Sequence, residues 1–362
     1  MPRPRPLVDH RGRGPLTLGE VASRRTNLAL LVLLAAALAT GGLMYAWGTR
    51  WNHAATVAHG IIGLAIVALS PWKSMIVRRG VARRGVADAW PSIVLGVIVV
   101  VTVAAGVVHA AGARVLGPVT AMQVHVGAAL VAVPLAIWHV ITRPVRPRIA
   151  DLDRRAMLRG AGLTAGAAAS YVALESVFVV ARARGADRRF TGSHEVGSGD
   201  PRAMPVTQWF DDEVPTVDAG RWHLAVTGAR SARTWTLAEL QSLVDEERAE
   251  ITATLDCTGG WYAEQRWAGV PVSRVLEASG TNLDGQSILA RSVTGYDRRY
   301  PIGDADRLLL ATEVGGEPLS VGHGFPARIV APGRRGFWWV KWLDQIHVSD
   351  RRWWLQPPFP LT

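Results

Sequence analysis

Four stretches of the chain, approximately 27–47, 54–72, 92–112 and 119–142, are apolar and long enough to cross a bilayer as helices. A fifth, about 160–181, is weaker, being rich in Gly and Ala with Glu175 near its end. One such stretch is compatible with a buried helix of a soluble core. Four in succession, joined by short links, argue instead for a membrane bundle.

Charge placement sets its direction. Segments 1–26, 73–91 and 143–159 hold six, five and six Lys and Arg, whereas the opposite links hold Arg50 and Arg114, with Arg182 and Arg184 after the fifth stretch. Cationic loops stay on the cytoplasmic side. The chain is therefore expected to be a multi-pass protein of the cell membrane, its N-terminus cytoplasmic and its residues after about 185 outside. The net charge of +11 on 362 residues divides accordingly. Residues 1–185 carry 21 Lys and Arg against 6 Asp and Glu, and residues 186–362 carry 19 against 23. A basic excess confined to the membrane half reports topology, and with no nucleic-acid motif present nucleic acid is not an expected partner.

The segment 153–159, with Arg154 and Arg155 paired ahead of Met157 and Leu158, precedes the weak fifth stretch. It resembles a twin-arginine export signal, which makes the twin-arginine export machinery an expected partner. Ordinary flanking charge is the alternative, since Arg78-Arg79 and Arg83-Arg84 are also paired.

Polar residues inside spans are costly and mark function. His59 lies near the start of the second span and His125 near the start of the fourth, so both imidazoles are expected at one depth toward the outer face, with His109 at a similar level. His139 follows His125 by 14 residues, on the same helix face and ~21 Å deeper. Gly60, Gly63 and Gly127 flank these positions and leave room for a flat macrocycle. The arrangement resembles membrane b-type cytochromes, in which histidines from two helices clamp a haem. His59 and His125 are the expected pair for a single haem b, and His109 and His139 are alternative ligands. Histidines satisfied by hydrogen bonds or lining a quinone pocket are the competing reading.

Segment 182–205 reads as a linker and entry loop, and 206–362 as one α+β domain with its own core. Expected strands are Trp222–Ala229, Ile251–Cys257, Ser287–Val293, Leu308–Val314, Ala327–Ala331 and Trp339–Val348. Thr236 and Glu239 form a capping box that opens a short helix, and Pro271–Ser279 reads as another, stopped by Gly280. Two clusters stand out. In the first, a strand delivers Cys257 to Thr258-Gly-Gly-Trp261, followed by Arg266-Trp267. In the second, Gly322-His323-Gly-Phe-Pro-Ala-Arg328 leads through Gly333 and Gly336-Phe337-Trp338 to Lys341-Trp342, supplying glycine bends and cationic groups suited to a phosphate-bearing cofactor. Cys257 is the only cysteine, which excludes an intrachain disulfide, a cysteine-ligated zinc site and a four-cysteine iron–sulfur cluster.

Both clusters, in their order and spacing over about 187–350, resemble the sulfite oxidase-like family of molybdopterin enzymes. The resemblance implies that Cys257 ligates molybdenum beside the dithiolene of one pyranopterin, and a soft thiolate suits such a centre. It also implies that His323, Arg328 and Lys341 hold pterin and phosphate, that Gly336 and Phe337 contribute main chain, and that Phe190 to Ser193 form a further cofactor loop. With no room before Thr362 for the dimerisation domain of true sulfite oxidases, the chain is more similar to the periplasmic methionine-sulfoxide reductase branch, here fused to its membrane partner. Tyr296, Arg266 and Arg299 are expected as catalytic residues, with Trp261, Tyr262 and Arg298 also candidates for the substrate mouth. True sulfite oxidases carry an arginine closely following the cysteine, where this chain has Thr258-Gly-Gly-Trp261, which points away from sulfite and toward a sulfoxide or another S- or N-oxide.

The expected architecture is thus an all-α bundle of five transmembrane spans followed by an α+β sulfite oxidase-like molybdopterin-binding domain. Its segments are a tail (1–26), a four-span haem domain (27–142), the export-like segment with the fifth span (143–181), the linker (182–205) and the outer domain (206–362). The function expected is oxygen-atom transfer on a small-molecule substrate, coupled to haem and to quinone or another electron carrier. A haem electron carrier with an inactive outer binding module is the alternative.

Overall fold

The computed structural model describes residues 18–113, 119–208, 212–228, 231–281 and 283–357. Residues 1–17 of the expected tail, Arg114 and Ala229 lie outside them. The chain divides into two compact units, Met1–Gly42 with Ala54–Ala186, and Leu43–His53 with Asp187–Thr362. Hydropathy alone had put 27–142 into one domain, whereas residues 43–53 group with the second unit.

The first unit is helical: α1 (Leu18–Ala46), α2 (His53–Arg84), α3 (Val86–Ala110), α4 (Ala121–Thr142) and α5 (Arg154–Val180). All five are long and apolar enough to cross a membrane. They overrun the apolar limits at their basic ends, α2 continuing to Arg84 and α5 starting at Arg154, because Lys and Arg are good helix formers and the backbone ladder does not stop where hydropathy does. The Asp153 carboxylate caps α5, accepting the Ala156 N–H at 2.7 Å. Thr120 and Gln123 form a reciprocal capping box on α4. Asp151 and Asp153 also pair with Arg24 and Arg25 of α1. Leu31, Val32, Val97, Val100, Ile137 and Ile141 are exposed apolar side chains of these helices.

The second unit carries β1 (His194–Glu195), β2 (His223–Thr227), β3 (Ala232–Thr236), α6 (Leu237–Glu246), β4 (Ala249–Asp256), β5 (Trp261–Pro271), α7 (Val272–Ala278), β6 (Ser287–Ser292), β7 (Asp297–Pro301), β8 (Leu309–Val314), β9 (Glu317–Pro318), β10 (Arg328–Val330) and β11 (Leu343–Ser349). One sheet runs β1-β5-β8-β10, with β4 paired to β5 and β9 to β8, and the other runs β3-β2-β11-β6-β7. β2 and β11 are parallel, as are β1 and β5, and the remaining pairs are antiparallel. Both sheets and both helices feed one core, in which Leu224, Leu240, Leu276, Ile288, Leu310 and Ile346 are fully buried. The Thr236–Glu239 capping box opens α6. The last expected strand begins four residues late, because Gly336–Trp338 form a single 3-10 turn and Trp342 adopts φ +50° before the chain becomes extended.

Candidate active site

β4 and β5 form a hairpin whose ladder ends with Asp256 opposite Tyr262. Its turn is Cys257-Thr258-Gly259-Gly260, closed by the Cys257 N–H donating to Trp261 O at 2.8 Å and the Gly260 N–H to Cys257 O at 3.1 Å. Gly260 sits at φ +88°, where a Cβ would strain the backbone. Cys257 is 9% exposed, faces a cleft, and accepts the Gly259 N–H on its Sγ at 3.3 Å. Burial pushes the thiol pKa up, while the Gly259 amide and the Arg335 guanidinium pull the other way.

The second cluster lines the same cleft, an open space of about 680 Å³ bordered also by Tyr296, His323, Arg328, Gly336, Phe337 and Lys341. His323 donates from Nε2 to Met204 O at 3.1 Å, and its Nδ1 lies 2.9 Å from Ser320 Oγ. A carbonyl can only accept, so the proton belongs on Nε2. Burial, reinforced by Arg328, lowers the His323 pKa. Arg328 donates to His323 O at 2.9 Å and to Trp339 O at 3.4 Å, lies over the Trp267 ring at 5.0 Å, and keeps a buried Nε without a hydrogen-bond partner. Burial pushes its pKa down to about 9. Lys341 donates to Thr207 O at 3.0 Å and Gly322 O at 3.2 Å, and burial, then Arg328, pushes its pKa down to about 7. Among the described lining residues the only carboxylate is Asp212. The cleft is short of negative charge.

That shortage predicts a pH dependence. The Lys341 ammonium is disfavoured in the folded protein, so stability is lowest below pH about 7 and recovers as pH rises toward the unfolded value near ~10.4. Thermal melts of cofactor-free protein at pH 6.5 and 9.5 should show this rise in wild type and a smaller rise in Lys341→Met. A phosphate-bearing ligand, by holding the ammonium charged, should also flatten it.

Behind Cys257 lies a buried charge hub that sequence reading missed. Asp256, 2% exposed, accepts on Oδ1 from Ser193 Oγ at 2.7 Å and Arg335 Nη1 at 2.6 Å, and on Oδ2 from Thr191 Oγ1 at 2.7 Å. Arg189 Nε stands 3.3 Å from Oδ2. Arg335 also donates to Cys257 O at 3.1 Å. Ser193, expected at the cofactor, therefore acts here on the carboxylate that anchors the cysteine turn. The other expected residues divide. Tyr296 lines the cleft and donates to Phe337 O, and Trp261 lines it while bonding Thr207 Oγ1 at 3.1 Å. Arg266 and Arg299 do not line it. Alternation along β5 sends Arg266 to the exposed face, where it pairs with Glu250 at 2.9 Å. Arg299 is buried in β7 against Ser287 Oγ (3.0 Å) and Ser349 Oγ (2.7 Å) and borders a separate depression. Arg298 lies over the Trp338 ring at 4.4 Å, and Tyr262 lies under Arg189 at 5.5 Å.

Residues 211–354 match the sequence profile of the oxidoreductase molybdopterin binding domain. These residues are similar to a molybdopterin-binding oxidoreductase domain. The chain is 32% identical over 167 residues to mitochondrial sulfite oxidase of Homo sapiens, a match that covers 38% of this chain and 30% of that protein. It is 30% identical over 155 residues to an Azospira oryzae protein named as a protein-methionine-sulfoxide reductase subunit, YedZ1, covering 41% of this chain and 57% of that protein. Nitrate reductase [NADH] 2 of Phaseolus vulgaris is 29% identical over 209 residues, or 45% of this chain and 23% of that protein. The chain thus spans from about a quarter to just over half the length of these relatives.

The second unit offers residues that fit such a group. The unpartnered Arg328 Nε and the desolvated Lys341 need an anion, and Cys257 presents a soft donor at the same cleft. Among the described residues no three His, Cys, Asp or Glu side chains converge.

The helical unit brings His59 of α2 and His125 of α4 to a ring-centroid distance of 5.8 Å, with planes 83° apart. His59 Nδ1 bonds Ala37 O at 3.1 Å and His125 Nδ1 bonds Thr102 O at 2.7 Å. Thr102 O can only accept, so His125 Nδ1 carries the proton and its Nε2 keeps the lone pair a metal needs, whereas His59 Nδ1 also lies 3.0 Å from the Thr40 hydroxyl, which can donate to it. His139 Nδ1 stands 3.4 Å from Ser92 Oγ, and His109 lies in the last turn of α3.

Proposed function

We propose that the chain is a membrane-anchored molybdenum oxidoreductase that removes an oxygen atom from an S- or N-oxide outside the membrane, with the two electrons supplied by membrane quinol and passed singly through a haem b held by His59 and His125. The observation that carries this reading is the convergence of Cys257, Arg328 and Lys341 on one cleft of the molybdopterin-binding domain. Molybdenum bound through the Cys257 thiolate would supply two-electron oxygen-atom chemistry. Arg328 and Lys341 neutralise the cofactor phosphate, while the 336–337 main chain takes the pterin edge. Tyr296 and Trp261 border the substrate mouth. The Thr258-Gly-Gly-Trp261 segment after Cys257 carries no cation for an anionic substrate, and the named methionine-sulfoxide relative supports an S-oxide.

The five long apolar helices support membrane anchoring, and the distribution of basic residues supports a cytoplasmic N-terminus. Arg154 and Arg155, exposed at the start of α5, are assigned to recognition by the export machinery. The proximity of the His59 and His125 rings, and the His125 Nδ1–H bond that leaves the lone pair on Nε2, support the haem assignment.

Purified protein is expected to contain molybdenum, pterin and haem, and to reduce members of a panel of sulfoxides and N-oxides. His59→Ala or His125→Ala should abolish the reduced-minus-oxidised haem spectrum and leave the molybdenum content intact. Wild type without molybdenum and pterin overturns the enzyme reading, and an unchanged spectrum overturns the ligand pair.

A further inference from the structure

Residues 43–53 join α1 to α2, yet they belong to the second unit. The Tyr45 ring stacks on Phe337 with centroids 5.9 Å apart and planes 20° apart, an offset aromatic pair. Its hydroxyl shares a hydrogen bond with the Thr258 hydroxyl. Gly48 is buried, and a Cβ placed there would lie 3.2 Å from Gly333 O and 3.4 Å from the carbonyl carbon of Arg334. The segment therefore packs backbone to backbone on the turn that leads into Arg335. Asn52 Nδ2 donates to Leu43 O at 3.2 Å and Trp47 O at 2.6 Å, tying one end of the segment to the other.

Thr258 and Phe337 line the cleft, and Tyr45 stands behind them. We infer that Tyr45 is a positioning residue of the Cys257 site, holding the Thr258 hydroxyl and the Phe337 ring that form one wall of the cleft. This inference rests on the molybdenum reading for its consequence in catalysis, while the contacts themselves concern the chain alone. Fixing the ring on Phe337 and the hydroxyl on Thr258 restrains the cysteine turn from outside its own hairpin. Loss of the hydroxyl frees Thr258 alone, and loss of the ring frees both groups.

The test uses full-length protein, where Cys257 is the only thiol. In cofactor-free protein at fixed pH, alkylation of Cys257 by iodoacetamide should be about tenfold faster in Tyr45→Ala, since thiol reactivity follows access. Tyr45→Phe should show a smaller increase, and adding Thr258→Val to it should change nothing further, because both remove the same bond. Gly48→Val, which lifts the segment while leaving Tyr45 in place, should reproduce the alanine variant. In loaded protein, Tyr45→Phe should shift the visible thiolate-to-molybdenum absorption band, a change that general loosening of the fold would not produce. Alkylation rates and spectra equal to wild type in Tyr45→Phe, or additive effects of Tyr45→Phe and Thr258→Val, overturn the inference. Wild type without molybdenum would overturn the enzyme reading instead and leave the alkylation contrast to decide on Tyr45.

Discussion

Cys257→Ser should eliminate turnover while the domain stays folded. The turn is held by main-chain bonds, Cys257 N–H to Trp261 O and Gly260 N–H to Cys257 O, and serine keeps both. What changes is the donor atom. A thiol can be deprotonated by a bound metal and is a soft ligand, whereas a serine hydroxyl is a hard one and far less acidic. A loss of about 10³-fold or more in kcat is expected, equivalent to ~4 kcal/mol of transition-state stabilisation. The panel of S- and N-oxides measures the loss, and the thermal melting curve, expected to match wild type within a few degrees, separates it from misfolding. Full turnover with cofactor retained in Cys257→Ser would remove Cys257 from the chemistry.

What the sequence made legible was local. Apolar runs announce the five helices because helix formation and lipid compatibility depend on contiguous residues. The Thr236–Glu239 cap was readable for the same reason. β5 was not readable, because Trp261–Pro271 interleaves Glu264, Gln265 and Arg266 with glycine, and its apolar face appears only once β4 and β8 pair with it on opposite sides. Short polar strands such as β3 and β7 carry little periodicity. The candidates from contiguous motifs that share one cleft are Cys257, His323, Arg328 and Lys341. Arg266 and Arg299 do not line that cleft, because strand alternation turns Arg266 outward and Ser287 and Ser349 hold Arg299. Tyr45 and Asp256 went unnoticed because their partners are distant in the chain. Asp256 immediately precedes Cys257, but its function depends on Arg335, 79 residues later.

That distant pairing underlies the second large effect. Asp256→Ala should destabilise the second unit by roughly 3–5 kcal/mol, the cost of leaving a buried charge without its partner. Arg335 is buried, and its Nη1 has the Asp256 carboxylate as its short partner at 2.6 Å. Removing that carboxylate also strands the Thr191 and Ser193 hydroxyls, which both donate to it at 2.7 Å. For a unit of this size the expected fall in the melting transition is about 6–20 °C. The effect should be local as well as global. Arg335 also holds Cys257 O, so amide exchange should accelerate first in the 257–262 turn. Asp256→Asn, which keeps an acceptor but not the charge, should lie between alanine and wild type. Asp256→Ala with Arg335→Met should recover much of the lost stability, because a buried pair replaced on both sides by apolar groups costs far less than one broken on a single side. It should not recover the cofactor, since neither substituted side chain can orient the Cys257 carbonyl. A melting transition within about 2 °C of wild type in Asp256→Ala would mean that the buried network carries less than ~1 kcal/mol, and that the cysteine turn is held by its hairpin alone.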